Sequence, residues 1–229
     1  FSGTGTDAGN YTVAGGATLN FSNSRSFVTG SGVAGAGTLQ VSGGTVDFNA
    51  GSTLGIATNG FFALTAGAAN FNLGTTNFAN GLTMTGGTLG GSTDISAAAA
   101  ALSAGTLSGT GQFTTTGVTS VGDITLSKVW NAQGSTSLGA ANIVRFNTGT
   151  INNSGAFSLD GTQTAPLLSN TGINAFNNSG TLNKTTATVA DVSVAFNNAS
   201  SGIVTVNGGT LGFSGTGTDA GNYTVAGGA

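Results

Sequence analysis

Short alternating phrases of three to five residues, cut by turn residues, constrain this chain more than any other feature. Gly/Ser/Ala-Thr-Leu phrases recur as Ala17-Thr18-Leu19-Asn20-Phe21, Gly37-Thr38-Leu39-Gln40-Val41, Ser52-Thr53-Leu54, Gly87-Thr88-Leu89, Gly105-Thr106-Leu107, Gly180-Thr181-Leu182 and Gly209-Thr210-Leu211. Between them lie apolar-x-apolar pairs such as Val46/Phe48, Phe71/Leu73, Leu82/Met84, Val144/Phe146, Phe157/Leu159 and Val192/Val194. A period of two places alternate side chains on one face of a strand. The interruptions come too often for the longer strands of a sandwich. Leu19 recurs as Leu39, and Phe176 as Phe196. One set of short strands every ~20 residues is the pattern of a solenoid. The expected fold is all-β: a right-handed parallel β-helix (β-solenoid) of about 20 residues per coil.

Composition agrees. Charged residues make up 5% of the chain, against about 25% in an ordinary globular protein. Like charges stacked one strand spacing apart would repel, so a solenoid face tolerates few of them. There are 42 Gly among 229 residues, enough to supply left-handed corners without a Cβ penalty. Asn follows a Phe at Asn49, Asn72, Asn147, Asn177 and Asn197. It suits left-handed corners and side-chain ladders. Pro166, the one proline, belongs at a corner or an edge because it lacks a ladder donor. The alanine-rich run Ser96–Leu102 reads as a loop or small-residue coil rather than a helical turn.

A second repeat is much longer. Positions 1–17 and 213–229 carry the identical string FSGTGTDAGNYTVAGGA, an offset of 213 − 1 = 212 positions. The expected organisation is one solenoid repeat over 1–212, with 213–229 opening the next identical unit. That makes the chain a window on a longer array. At about 20 residues per coil and about 4.8 Å per coil, a unit makes about 10–11 coils, roughly 50 Å long.

Several function classes lose support. Net charge is −3, and no basic patch offers an electrostatic footprint for nucleic acid. No apolar run is long enough to span a bilayer. The chain has no Cys or His, so disulfides and thiol chemistry are excluded. The seven Asp are scattered at 7, 47, 94, 123, 160, 191 and 219 without a Glu, not clustered as a glycoside-cleaving site requires. They read as corner residues. Gly30-Ser31-Gly32-Val33-Ala34-Gly35 matches a dinucleotide-binding string, but no helix pattern follows it. Gly3-Thr4-Gly5-Thr6-Asp7 echoes part of a calcium-binding nonapeptide, without consecutive nonapeptides, and Asp7 reads as a turn residue. Trp130, Tyr11 and Tyr223 are candidates for stacking on sugars, or else for covering a solenoid face. Asn-x-Ser/Thr at Asn10, Asn20, Asn152, Asn177, Asn183 and Asn198 is expected in so polar a chain. No catalytic, cofactor-binding or metal-ligating residue is assigned, and no enzyme activity is expected.

Three phrases carry a resemblance. These are Phe176-Asn177-Asn178-Ser179-Gly180-Thr181-Leu182-Asn183-Lys184, the related run from Phe196 to Leu211, and Tyr223–Ala229 read on into Thr18-Leu19-Asn20-Phe21. They resemble the repeats of giant bacterial surface proteins of the filamentous-haemagglutinin-like and autotransporter-adhesin type. That resemblance implies a β-helix that is extracellular or on the cell surface, in a filament or stalk. The partners it implies are neighbouring copies of the repeat, and cell-surface polysaccharide if the chain is an adhesin passenger.

Overall fold

A computed structural model describes residues 1–229. It is nearly all parallel β-strand and forms a β-solenoid of about 11 turns, roughly 20 residues apart. The chain divides into two compact units, Phe1–Thr114 and Thr115–Ala229.

In the first unit each coil has three short strands, hence three faces. The first face stacks Gly5–Asp7, Arg25–Phe27, Thr45–Phe48, Ala68–Phe71 and Thr88–Gly91, all parallel. The third stacks Thr18–Phe21, Thr38–Val41, Phe61–Leu64 and Leu82–Met84. On the second, Asn10–Val13, Gly32–Gly35 and Thr53–Leu54 pair in order. A helical turn, Ile56–Asn59, then intervenes before Thr76–Phe78 pairs with Ile95–Ala97.

The second unit has the same plan. Val129–Ala132, Thr150–Asn153, Ala175–Asn178 and Ala195–Asn198 form one face. Ser135–Leu138, Ala156–Leu159, Thr181–Lys184, Ile203–Val206 and Asn222–Val225 form another. The last face includes Val144–Asn147 and Leu167–Thr171, with a register shift at Phe146/Asn147.

The intervals read from the sequence are the stacking intervals: Leu19 lies beside Leu39, and Phe176 beside Phe196. Coil length varies, because the pairs Phe48 with Phe71 and Leu167 with Val192 span longer intervals than these. Extra residues enter at corners, where no ladder constrains them. Alternation does the rest. Many strands are half-buried at their first and third positions and buried at their second and fourth, as in Ala175–Asn178. The inward rings stack along the ladder. Phe27, Phe48 and Phe71 have centroids 4.9 and 5.1 Å apart and are nearly parallel. Offset stacking of this kind adds to the burial of each ring.

One expectation is sharpened and one is corrected. The alanine-rich run is a small-residue coil of the solenoid, not a helical turn: Ile95–Ala97 and Ala100–Leu107 are strands, with Ala98 and Ala99 at the bend between them. Neighbouring coils saturate their main chain, which outweighs alanine's helical preference. Asn does not make the left-handed corners. Glycines do, and the two non-glycine residues at positive φ are Ala140 and Thr148. Gly91 is a clear case, at φ 102°, where a Cβ would overlap the Phe71 main chain. Pro166 does sit where its chemistry requires, immediately before the strand Leu167–Thr171, with its carbonyl accepting the Val144 amide at 2.8 Å.

Candidate functional site

The polar side chains that run between coils carry the most specific chemistry. In the second unit two asparagine ladders lie side by side. On the outer ladder, Asn152 Nδ2 donates to Asn131 Oδ1 at 2.9 Å, Asn177 to Asn152 at 2.8 Å and Asn197 to Asn177 at 2.8 Å. On the inner ladder, Asn153 Nδ2 donates to Asn178 Oδ1 at 2.8 Å and Asn178 Nδ2 to Asn198 Oδ1 at 2.9 Å. Asn153, Asn178 and Asn198 are buried. Identical amides in register, one strand spacing apart, can each donate to one neighbour and accept from the other. The expected Asn ladder is therefore present, but the Phe-Asn rule marked only Asn177 and Asn197 on its outer half, because Asn131 and Asn152 follow Trp130 and Ile151. The inner half follows from the next step of the same alternation, Asn178 and Asn198.

All but one of the aspartates tie coil to coil; Asp94 and Asp160 lie between strands, as expected of corner residues, whereas Asp7, Asp47, Asp123 and Asp191 lie within strands. Asn70 donates to Asp47 at 2.8 Å, the Gln112 amide to Asp94 at 2.8 Å and the Ile143 amide to Asp123 at 2.8 Å. Ser137 and Thr185, on the coils either side, donate to Asp160 at 2.8 and 2.7 Å. Ser214 donates to Asp191. Asp7 is bonded by Arg25 of the next coil and by the Tyr11 hydroxyl. Burial opposes ionisation of Asp7, but the hydrogen bonds from Arg25 and Tyr11 prevail and hold its carboxyl below the usual range. Pairing with Arg25 leaves the carboxylate engaged, so the calcium-repeat reading has no free ligand there. Asp219 is the exception among the seven. Its side chain is bonded within its own coil, by the Tyr223 hydroxyl at 2.5 Å and the Gly221 amide at 3.3 Å. Burial pushes the Tyr223 hydroxyl up, and its bond to Asp219 adds to this, to about 12.

Trp130 is not a sugar platform. It is fully buried, and its indole N–H donates to Thr115 Oγ1 at 3.0 Å. The Gly30–Gly35 string leads into strands, Gly32–Gly35 and then Thr38–Val41, so no helix stands ready for a pyrophosphate. No group of three His, Cys, Asp or Glu converges on a point. No helix is long and apolar enough to cross a membrane. Alternation alone does not single out Lys184, a fully buried lysine. Burial lowers its pKa, and its ammonium is held by the Thr186 carbonyl and by Thr186 Oγ1 at 2.6 Å.

Both copies of the duplicated string lie in the coil stack. Asn10–Val13 pairs with Gly32–Gly35, the coil that follows it. Asn222–Val225 pairs with Ile203–Val206, the coil that precedes it. Phe1, Phe213, Tyr223 and Val225 are among the exposed large apolar side chains. Beside the second copy lies a groove of about 450 Å³ bordered by both asparagine ladders, Thr218 and Asp219. No family model matches the sequence, and no curated protein or solved structure does.

Proposed function

We propose that the chain is a structural segment of a repetitive extracellular or cell-surface β-solenoid, which lengthens by adding copies end to end along the axis of coil stacking. One observation carries the reading. The same string stands at 1–17 and at 213–229, 212 positions apart, and each copy is laid into the parallel coil stack through its Asn-Tyr-Thr-Val strand. A solenoid strand edge is covered by the next coil, and a tandem copy of the repeat supplies coils of the same pattern. The stack needs only nearest-neighbour contacts, so its length has no intrinsic limit. Placement at the cell surface rests on the resemblance to filamentous-haemagglutinin-like and autotransporter-type repeats. The ties between coils are amide ladders and carboxylate–hydroxyl bonds, which suits a passive scaffold rather than a catalyst.

The alternative is an adhesin passenger that binds polysaccharide. Trp130, its best aromatic, is buried, and the reading rests on the asparagine-bordered groove. Sedimentation velocity over a range of protein concentration tests the structural reading. Growth into head-to-tail species of increasing frictional ratio is expected. A single monomeric boundary throughout overturns it.

A further inference from the structure

We infer that Asn207 is a site of spontaneous covalent modification: the Gly208 amide attacks the Asn207 carboxamide, and the corner after Val206 converts to aspartate and isoaspartate while the solenoid stays folded.

Asparagine is among the chemically labile residues, and a following glycine puts no Cβ in the way of the attacking amide. The chain has three such pairs, Asn59-Gly60, Asn80-Gly81 and Asn207-Gly208. Ring closure also needs the glycine N–H free to move onto Cγ and the carboxamide free to turn towards it. Small misplacements of reacting groups cost rate steeply. The fold denies these conditions at two of the pairs. Gly60 is buried, and its amide donates to the Ile56 carbonyl at 2.8 Å to close the helical turn. The Gly81 amide donates to the Phe78 carbonyl at 3.0 Å, and Asn80 Nδ2 donates to the Gly60 carbonyl at 3.2 Å. At the third pair both groups are unengaged. The Gly208 amide donates to no main-chain carbonyl, and the Asn207 side chain is exposed and bonded to no other group.

That freedom belongs to the corner, since coils lie on both sides of it. The Asn207 amide donates to the Lys184 carbonyl of the preceding coil at 2.8 Å, and the Val206 carbonyl accepts the Ala226 amide of the following coil at 2.9 Å. The Thr210 amide resumes the ladder on Thr188 O at 3.2 Å. Between these anchors the chain turns through Gly208 and Gly209, the latter at φ 68°.

The chemistry balances with water as the one co-reactant. The Gly208 nitrogen bonds to Asn207 Cγ, the Cγ–Nδ2 bond breaks, and ammonia leaves with the amide proton. Water then opens the cyclic imide. Cleavage of the Gly208 N–Cγ bond gives aspartate. Cleavage between Gly208 N and the Asn207 main-chain carbonyl carbon gives isoaspartate, whose main chain is one atom longer. Coil length already varies at the corners of this solenoid, so the extra atom is taken up without breaking the ladder. Either product adds one negative charge, and the net charge becomes −3 − 1 = −4.

The test ages the full chain in mildly alkaline buffer, folded and in urea, and maps it by mass spectrometry. Cleavage after Phe61, Phe78 and Phe196 puts the three pairs in separate peptides. In urea the three should convert at similar rates. In the folded chain Asn207 should convert at least about tenfold faster than Asn59 and Asn80. The variant N207Q should lose the fast phase of ammonia release and keep the β-type circular dichroism of the parent. Conversion at Asn59 or Asn80 keeping pace with Asn207 in the folded chain overturns the assignment. So does an unconverted Asn207 in the folded chain once the urea sample has converted. Loss of the β-type signal in step with conversion at Asn207 would refute the claim that the corner absorbs the longer main chain.

Discussion

Asn178→Ala should be one of the most damaging single polar substitutions in the second unit, and Asn177→Ala, one residue away, should be nearly silent. Asn178 is 1% exposed. It links Asn153 and Asn198 at 2.8 and 2.9 Å and also donates to the Ile203 carbonyl at 3.2 Å. Truncation leaves Asn198 Oδ1 and the Ile203 carbonyl without that amide. It leaves Asn153 Nδ2 with only the Thr181 carbonyl, at 3.0 Å. Each buried polar group deprived of its partner costs about 1–3 kcal/mol, so the loss should total about 2–5 kcal/mol. Asn177 makes the same two ladder bonds but is half-buried. Water replaces its amide there, and the cost should stay at about 0.5 kcal/mol. Trp130, the single tryptophan, is buried in the same unit, and its fluorescence in urea reports the unfolding of that unit. With a slope of about 1.5 kcal/mol per molar, the midpoint for Asn178→Ala should fall by more than about 1 M. Equal shifts for the two variants would refute the claim that burial gives the inner ladder its weight.

Other changes follow from the same geometry. Lys184→Met should stabilise the second unit by about 1–3 kcal/mol, because a buried ammonium costs more to desolvate than its hydrogen bonds return; the melting temperature at pH 7 checks it. The lowered pKa of Lys184 means the unfolded chain binds the extra proton. The parent should therefore gain on the variant as pH rises towards about 10.4, the unfolded lysine value. The Asp7 carboxyl is held below its ordinary value, so its contribution is complete above about pH 4 and is lost as pH falls through the lower folded value. Hydrogen exchange at the Val28 amide, which donates to Asp7 O, should accelerate in that acid range and at neutral pH in Asp7→Asn. Gly91→Ala should cost the first unit at least about 2 kcal/mol, from strain at φ 102° and the clash with Phe71; thermal unfolding measures it.

Much of the fold is legible in the residues because a solenoid is built from local rules. The alternation of Ala175–Asn178 decides inside from outside, and the recurring steps Leu19 to Leu39 and Phe176 to Phe196 are literal neighbours in the ladder. What was not legible is which face a phrase occupies. In the first unit Leu39 lies on the third face, Leu54 on the second and Leu89 on the first, because every face asks for the same turn-Thr-Leu chemistry. The polar ties were hidden for a related reason. Asp47 and Asn70, or Asp7 and Arg25, meet across a coil whose length depends on how many residues enter each corner. Alternation does not encode that number.

Diffraction from oriented assemblies of the chain tests the central claim most directly. Main-chain pairing along the growth axis predicts a meridional reflection at about 4.8 Å and a longer axial period of roughly 50 Å from the unit over 1–212. The strand-spacing reflection lying on the equator, with strands crossing in the other sense, would contradict it.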